Sequence, residues 1–275
     1  MARRLQQAGH TVHAWNRTQS KADPLAALGI AVHATVAEAV RQADIVVSLL
    51  ENGPAVEHVL FHAGAAQAMR PGTLFIDMAS IQPREARDHA ARLGEMGLAH
   101  LDAPVSGGTV GAENGTLAIM AGGRAEDFAR AQPVFAALGR ATHVGPHGSG
   151  QLAKLANQMI VGITIGAVAE ALLFAAKGGA DMARVREAIQ GGVADSRILQ
   201  LHGQRMVDRD FAPKARMGVQ LKDMRNALGT AKEIGFDAPV TTLFEALYAE
   251  GVEHGLGELD HSGLFVELAS RNAMQ

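Results

Sequence analysis

The pattern of apolar residues changes once along this chain, near Gly150. Before that point, short apolar runs alternate with segments of helical periodicity, which is the pattern of a βαβ fold. After it, the spacing of apolar residues is helical and no segment has the character of a strand. The sequence therefore predicts an α/β domain over residues 1–147 and an all-α domain over residues 148–275, joined by one long helix.

Short apolar segments mark the strands of the first domain. Asp44–Leu50 contains a continuous apolar run, as expected of a parallel strand that is buried on both faces. Arg3–Gly9 is predicted to be the end of a helix that stops at Gly9. The other predicted strands are His10–Trp15, Gly29–Ala34, Thr73–Asp77, Ala99–Asp102, Leu117–Ala121 and Ala141–Val144.

Composition argues against several classes of function. The formal net charge is −3, so the chain lacks the basic excess that binds a phosphate backbone, and nucleic acid is not expected as a partner. The chain has no cysteine, which excludes disulfides, thiolate catalysis and cysteine-ligated metals and fits a reducing cytoplasm.

Met159–Ala176 carries a single charge, Glu170, but it is short for a membrane-spanning helix and rich in glycine and alanine. We therefore predict a buried helix there and no contact with a membrane.

A glycine-rich loop runs directly into the long helix over residues 145–157, which read GPHGSGQLAKLAN. If Ser149 caps this helix, Lys154 lies in its first two turns and Asn157 follows three residues later on the same face. The helix dipole and enclosure in the protein would both lower the pKa of Lys154. A lysine whose pKa is lowered in this way can give and accept protons near neutral pH. The alternative is a solvated helix lysine that follows a simple linker.

Three separated motifs resemble those of the β-hydroxyacid dehydrogenases, the family of 3-hydroxyisobutyrate dehydrogenase and tartronate semialdehyde reductase. They are Asp102–Gly108 (DAPVSGG), the lysine loop with its Asn157-Gln158 ending, and Lys222-Asp223. The resemblance covers essentially the whole chain. It implies a Rossmann-like first domain, a helical second domain, and hydride transfer between a nicotinamide cofactor and a small 3-hydroxy acid or its semialdehyde.

The resemblance also implies roles for individual residues. Lys154 would give or take the proton, and Asn157 would orient the reacting oxygen. The residues expected to bind the substrate, a small carboxylate, are Ser106, Gly107, Gly108 and Gln158. The residues expected to bind the cofactor are Asn16, Arg17, Thr18, Leu49, Leu50, Ser80 and Lys222.

The residues after the predicted strand His10–Trp15 bear on the choice of cofactor. Proteins that prefer NAD usually place a carboxylate there, whereas this chain has Asn16-Arg17-Thr18. Because Arg17 can pair with a 2′-phosphate, NADP is predicted in preference to NAD; an ordinary solvated turn is the alternative.

No metal site is predicted, since the pair His58 and His62 lacks the glutamate of a zinc-protease helix.

The start of the chain departs from the family pattern. No opening strand with a G-x-G-x-x-G turn stands before the helix that ends in Ala8-Gly9-His10. The expectation is that roughly a dozen or more residues are missing, which would expose neighbouring strand edges and remove the phosphate cradle. A non-catalytic oligomeric scaffold that has lost cofactor binding is therefore kept as an alternative to the enzyme.

Two further expectations concern substrate and assembly. Asn157-Gln158 and Arg17 favour reduction of 2-hydroxy-3-oxopropionate (tartronate semialdehyde) over oxidation of 3-hydroxyisobutyrate. The small residues of the helix from Gly162 to Ala176 permit close packing, and the later helices are more apolar than one small domain would bury. A homodimer or homotetramer is predicted.

Overall fold

The computed structural model describes residues 1–274 and divides the chain into two compact units, Met1–Lys154 and a second that starts at Leu155. The strands, all in the first unit, are β1 (His13–Ala14), β2 (Ala31–Val32), β3 (Ile45–Ser48), β4 (Leu74–Asp77), β5 (Ala99–Asp102), β6 (Val105–Ser106), β7 (Leu117–Gly123) and β8 (Gly139–Gly145). The α-helices that lie wholly in this unit are α1 (Ala2–Gln7), α2 (Val36–Val40), α3 (Gly53–Glu57), α4 (Ala65–Ala68), α5 (Pro83–Glu95), α6 (Gly108–Asn114) and α7 (Ala125–Leu138).

Six strands form a mixed sheet in the order β3-β4-β5-β7-β6, with β8 also paired to β7. β3, β4 and β5 are parallel and in register, which aligns Ser48, Asp77 and Asp102 at their carboxyl ends. β7 runs antiparallel to β5, so the parallel βαβ arrangement predicted for this domain holds for only part of the sheet. β1 and β2 pair with each other in a separate two-stranded sheet.

Alternate residues of β4 enter two different apolar clusters, because successive side chains of a strand point to opposite faces. Leu74 and Ile76 pack with Leu101 and Phe135 on one face, and Phe75 packs with Leu60 on the other. The central part of the sheet is therefore covered on both faces, as expected of a sheet with helices on either side.

The predicted strands are all present; β5 has the predicted bounds, and the bounds of the others differ. Only two residues of His10–Trp15 and two of Gly29–Ala34 form strands. β3 is parallel as predicted, yet its four residues are half-buried and not fully buried, because it is the end strand of its sheet. The two-residue strand β6 was missed, since it is too short to give a pattern of its own.

The second unit is helical, and no strand is found among residues 151–274, as predicted. α8 (Ser149–Lys177) begins in the first unit and continues into this one. The helices that follow are α9 (Met182–Ile189), α10 (Arg197–Asp208), α11 (Met217–Glu233), α12 (Pro239–Gly251) and α13 (Leu264–Arg271). One apolar cluster forms the core of the unit, and α8 contributes Ile165, Ala169 and Leu172 to it.

α8 buries one face only. Within the described residues it is the one helix long and apolar enough to cross a membrane, a test of length and composition that core helices also pass. Of the most apolar stretch of 18 residues in α8, 39% is buried. Phe174 is 80% exposed. The expectation of a buried helix is therefore correct for the face that meets the core and wrong for the opposite face.

Candidate functional site

The carboxylate of Asp102 fixes the start of the long helix. Asp102 ends β5, at the edge of the sheet where ligands of open α/β folds bind. Its Oδ1 accepts a hydrogen bond from the backbone N–H of Gly148 at 2.8 Å, and its Oδ2 accepts one from the N–H of Gln151 at 3.0 Å. Because Gly148 precedes α8 and Gln151 lies in its first turn, one buried side chain sets both the loop and the beginning of the helix.

The backbone of α8 also lies directly against the sheet at Gly150. A Cβ atom added there would lie far inside van der Waals contact of the Asp102 and Met120 carbonyl oxygens. A Cβ on Gly122, in β7, would approach the Gly150 nitrogen to 2.6 Å. The two glycines let helix and strand backbones touch, so the glycines of the loop do more than link two domains.

Gln151 ties the same turn to a neighbouring loop. Its side chain is fully buried, with Oε1 accepting from the Ile81 N–H at 3.1 Å and Nε2 donating to the Ala79 carbonyl at 2.8 Å. Ser80, predicted to bind the cofactor, lies between these two partners and is half-buried. The loop after β4 and the first turn of α8 therefore form one hydrogen-bonded assembly.

Lys154 follows Gln151 by three residues, so it lies on the same side of α8 nearly one turn later. Its exposed fraction is 8%, so the alternative of an ordinary solvated helix lysine does not describe this position. α8 includes Ser149 as its first residue, which moves the predicted cap by one position and leaves Lys154 in the first two turns.

Asn157 and Gln158, further along α8, belong to a polar network in the second unit. Asn157 Nδ2 donates to Gln158 Oε1 at 2.8 Å, and Gln158 Nε2 donates to Asp223 Oδ2 at 2.7 Å. The ammonium of Lys222 lies 3.1 Å from Asp223 Oδ1. The structure thus brings together three residues that were assigned separately to catalysis, substrate and cofactor. Their link is the buried carboxylate of Asp223.

The serine-diglycine turn is an exposed turn with an unusual backbone. Ser106 ends β6, opposite Ala118 of β7. Gly107 and Gly108 have φ angles of +130° and +62°, which other residues adopt only with strain, and both glycines are exposed. Backbone N–H groups in such a turn are accessible to an anion.

Five of the predicted cofactor residues of the first unit follow β1 and β3. Trp15 separates β1 from the exposed residues Asn16, Arg17 and Thr18. Asn16 Oδ1 accepts a hydrogen bond from the Thr18 N–H at 2.9 Å. Leu49 is exposed and Leu50 is half-buried after β3. A guanidinium beside a hydroxyl and an amide is a donor set that fits the phosphate-bearing ribose of a dinucleotide.

Two buried aspartates beside this edge are perturbed acids. Burial raises the pKa of Asp77 to about 7, and the nearby charge of Asp102 adds to the rise. The hydrogen bond that Asp77 Oδ1 accepts from the Ala79 N–H lowers the pKa and offsets part of this rise. Burial also raises the pKa of Asp102 to about 6, although the hydrogen bonds that its carboxylate accepts from backbone N–H groups lower the pKa. Sequence reasoning did not single out Asp77 or Gln151. The available signals were an aspartate that ends an apolar strand and a glutamine three residues before Lys154.

Two family models match the chain. The NAD binding domain of 6-phosphogluconate dehydrogenase matches residues 1–145, and the NAD-binding domain of NADP-dependent 3-hydroxyisobutyrate dehydrogenase matches residues 148–268. The chain is 43% identical over 266 residues to the 2-hydroxy-3-oxopropionate reductase of Escherichia coli K12, a match that covers 96% of this chain and 91% of that one.

Two further proteins are similar over nearly the whole chain. A probable 3-hydroxyisobutyrate dehydrogenase-like protein of Arabidopsis thaliana, described as mitochondrial, is 35% identical over 274 residues, covering 99% of this chain and 82% of that one. The solved structure of Mycobacterium tuberculosis 3-hydroxyisobutyrate dehydrogenase with L-serine has a TM-score of 0.89 and 31% identity, covering 97% of this chain and 94% of that one.

The raised pKa of Asp77 predicts a pH-dependent stability. An aspartate whose pKa is higher in the folded than in the unfolded state stabilises the fold at low pH, and this contribution is lost as the pH rises through about 7. Between roughly pH 5 and pH 8, the free energy of unfolding of Asp77→Asn should therefore gain about 1–3 kcal/mol relative to the parent protein. Urea unfolding at several pH values measures this difference. The exposed control Asp88→Asn should show no such trend, and a difference for Asp77→Asn that is constant with pH would contradict the assignment.

Proposed function

The chain belongs to the β-hydroxyacid dehydrogenase family of NAD(P)-dependent oxidoreductases, and we propose that it reduces 2-hydroxy-3-oxopropionate to the corresponding 2,3-dihydroxy acid. The 43% identity to a reductase of that name and the Asn157-Gln158 pair support this substrate. Oxidation of 3-hydroxyisobutyrate is the second candidate, favoured by the likeness to the Mycobacterium tuberculosis enzyme. The observation that carries the proposal is the burial of Lys154 beside the anchored first turn of α8.

Lys154 is the proposed proton donor. When bound, the nicotinamide cofactor supplies a hydride to the carbonyl carbon of the substrate. Lys154 Nζ gives a proton to the carbonyl oxygen in this direction and takes one from the hydroxyl in the reverse direction. Burial of the side chain keeps bulk water from competing for the amine. Asn157, three residues later on the same helix, orients the oxygen that is being protonated.

The substrate carboxylate is assigned to the turn of Ser106, Gly107 and Gly108. Gly107 and Gly108 are exposed and offer backbone N–H groups as donors, and the serine hydroxyl adds a further donor. Gln158 is assigned to the same substrate, and its side chain is oriented by Asp223. This division gives the carboxylate one set of donors and the reacting oxygen another.

NADP is the proposed cofactor, in preference to NAD. The exposed Arg17 supplies a guanidinium for the 2′-phosphate, with Asn16 and Thr18 beside it. Lys222, whose ammonium lies against Asp223, is assigned to the cofactor from the helical unit. The further cofactor residues are Leu49, Leu50 and Ser80.

We also propose that the protein forms a homodimer or homotetramer and acts in the cytoplasm. The exposed Ile160 and Phe174 of α8 support self-association, because large apolar side chains on a helix face favour contact with another chain. The absence of cysteine supports the compartment.

Replacing Lys154 tests the proposed reaction. Lys154→Met keeps an unbranched side chain but removes the amine, so turnover of 2-hydroxy-3-oxopropionate with NADPH should fall by about 10²–10⁴. The thermal midpoint and the far-ultraviolet circular dichroism should stay close to those of the parent protein.

The matched control is Lys232→Met, on an exposed position of α11, which should leave turnover unchanged. A Lys154→Met protein with turnover within about threefold of the parent would overturn the catalytic assignment. If the parent reduced no small semialdehyde with either cofactor, the non-catalytic scaffold would be the better account.

Replacing Arg17 tests the choice of cofactor. Loss of a charged hydrogen bond to a 2′-phosphate should lower kcat/KM for NADPH by about 10- to 100-fold in Arg17→Ala, with little change for NADH. Initial rates with both cofactors measure this, and Arg41→Ala, another exposed arginine of the first unit, is the control. An equal loss with NADPH and NADH would contradict a contact specific to the phosphate.

A further inference from the structure

Two histidines and one aspartate form a compact group at the carboxyl end of β5. His100, Asp102 and His147 each offer one ligand atom, and these atoms all lie within 4.8 Å of one another. His100 and Asp102 are two residues apart on one strand, so their side chains point to the same face of the sheet. His147 precedes Gly148, whose N–H is bound by Asp102, and this hydrogen bond holds the His147 loop at β5.

The imidazole of His100 is buried without polar partners. Its exposed fraction is 2%, and neither ring nitrogen has a hydrogen-bond partner among the described residues. Nδ1 of His147 is also buried and unpaired in this part of the chain, and the two rings lie 5.5 Å apart between centroids. Buried polar atoms are nearly always paired, so unpaired nitrogens on two neighbouring rings require an explanation.

A metal ion would satisfy these atoms. Two imidazoles and one carboxylate are the ligands of three-residue zinc sites, in which a water or another ligand takes the fourth position. The Asp102 carboxylate accepts hydrogen bonds from the N–H groups of Gly148 and Gln151, and the N–H groups of Gly150 and of Asp102 itself also act on it. An ion bound there would share the carboxylate with these neutral donors and would be the only charged partner among them. We propose that His100, Asp102 and His147 bind one divalent ion of the Zn²⁺ type. Imidazole ligands disfavour Mg²⁺ and Ca²⁺, which prefer oxygen.

A second group with the same composition lies in the helical unit and serves as a comparison. His202, Asp260 and His261 also place ligand atoms within 4.8 Å of one another. There, however, Arg205 Nη1 lies 3.3 Å from Asp260 Oδ2, so a guanidinium already neutralises the carboxylate and would repel a metal ion. No cationic side chain pairs with Asp102 among the described residues.

The proposed ion would connect β5 to the loop that leads into α8. It would add a metal–ligand link to the hydrogen bonds of Asp102 and restrain the segment that precedes Lys154. Its effect is therefore on the stability of this unit, since an ion that binds the folded chain and not the unfolded chain shifts the unfolding equilibrium.

Calorimetric titration of the untagged, chelator-treated protein with Zn²⁺ tests the proposal. The surface pairs His13–His33 and His58–His62 could bind zinc independently. The titration is therefore made in a background that carries His13→Gln and His58→Gln. We expect one ion per chain and an increase of the thermal midpoint with Zn²⁺.

His147→Gln is the test variant, because its ring is only partly buried and the substitution should leave the fold intact. It should weaken Zn²⁺ binding by at least about 100-fold and abolish the thermal shift, since it removes one of three ligands. His202→Gln, in the group occupied by Arg205, should leave binding unchanged. Co²⁺ should give the visible spectrum of a four-coordinate site in the background protein and not in His147→Gln. Equal Zn²⁺ affinity of the background protein and His147→Gln, or no saturable binding by the background protein, would overturn the proposal.

Discussion

The contact between Asp102 and the first turn of α8 is the interaction on which the rest of the candidate site depends. The carboxylate binds two backbone N–H groups at the start of the helix, and Gly150 lets the helix backbone rest directly on the strands. Once this turn is fixed, the geometry of an α-helix determines where Lys154 and Asn157 emerge. A rigid element set at its first turn is a more accurate support for a catalytic side chain than a flexible loop.

This arrangement places acidic groups in an environment that disfavours their charge. Ser48, Asp77 and Asp102 are aligned across neighbouring strands, and the pKa values of both aspartates are raised by burial. Because burial raises both pKa values, this edge carries less negative charge near neutral pH than two ordinary aspartates would give it. The fold retains polar groups here that an apolar core would exclude, as is common at functional sites.

Periodicity along the sequence predicted most of the fold. Apolar runs located the strands, and the uniform helical pattern after Gly150 located the helical unit. The pattern did not show that β3 ends its sheet or that β7 reverses direction, because pairing depends on contacts distant in sequence. β6 has two residues and carries no periodic signal.

The candidate site was predictable to the extent that it lies within local motifs. Lys154 and Asn157 belong to one helix, and their relation follows from their spacing. The roles of Asp102, Gln151 and His147 arise from contacts between β5, the loop after β4 and the loop before α8. Such contacts link residues about 45 to 70 positions apart. No local pattern in the sequence encodes them.

A pair of glycine substitutions tests the anchoring of α8 most directly. Gly150 and Gly94 both lie in helices of the first unit, but a Cβ on Gly150 would overlap the backbone of β5, whereas a Cβ on Gly94 meets nothing within 4 Å. Gly94→Ala should stabilise the protein by up to about 1 kcal/mol through helix propensity. Gly150→Ala should destabilise it by about 3 kcal/mol or more and reduce turnover, because the first turn must move away from Asp102. A Gly150→Ala protein as stable and as active as Gly94→Ala would contradict the account.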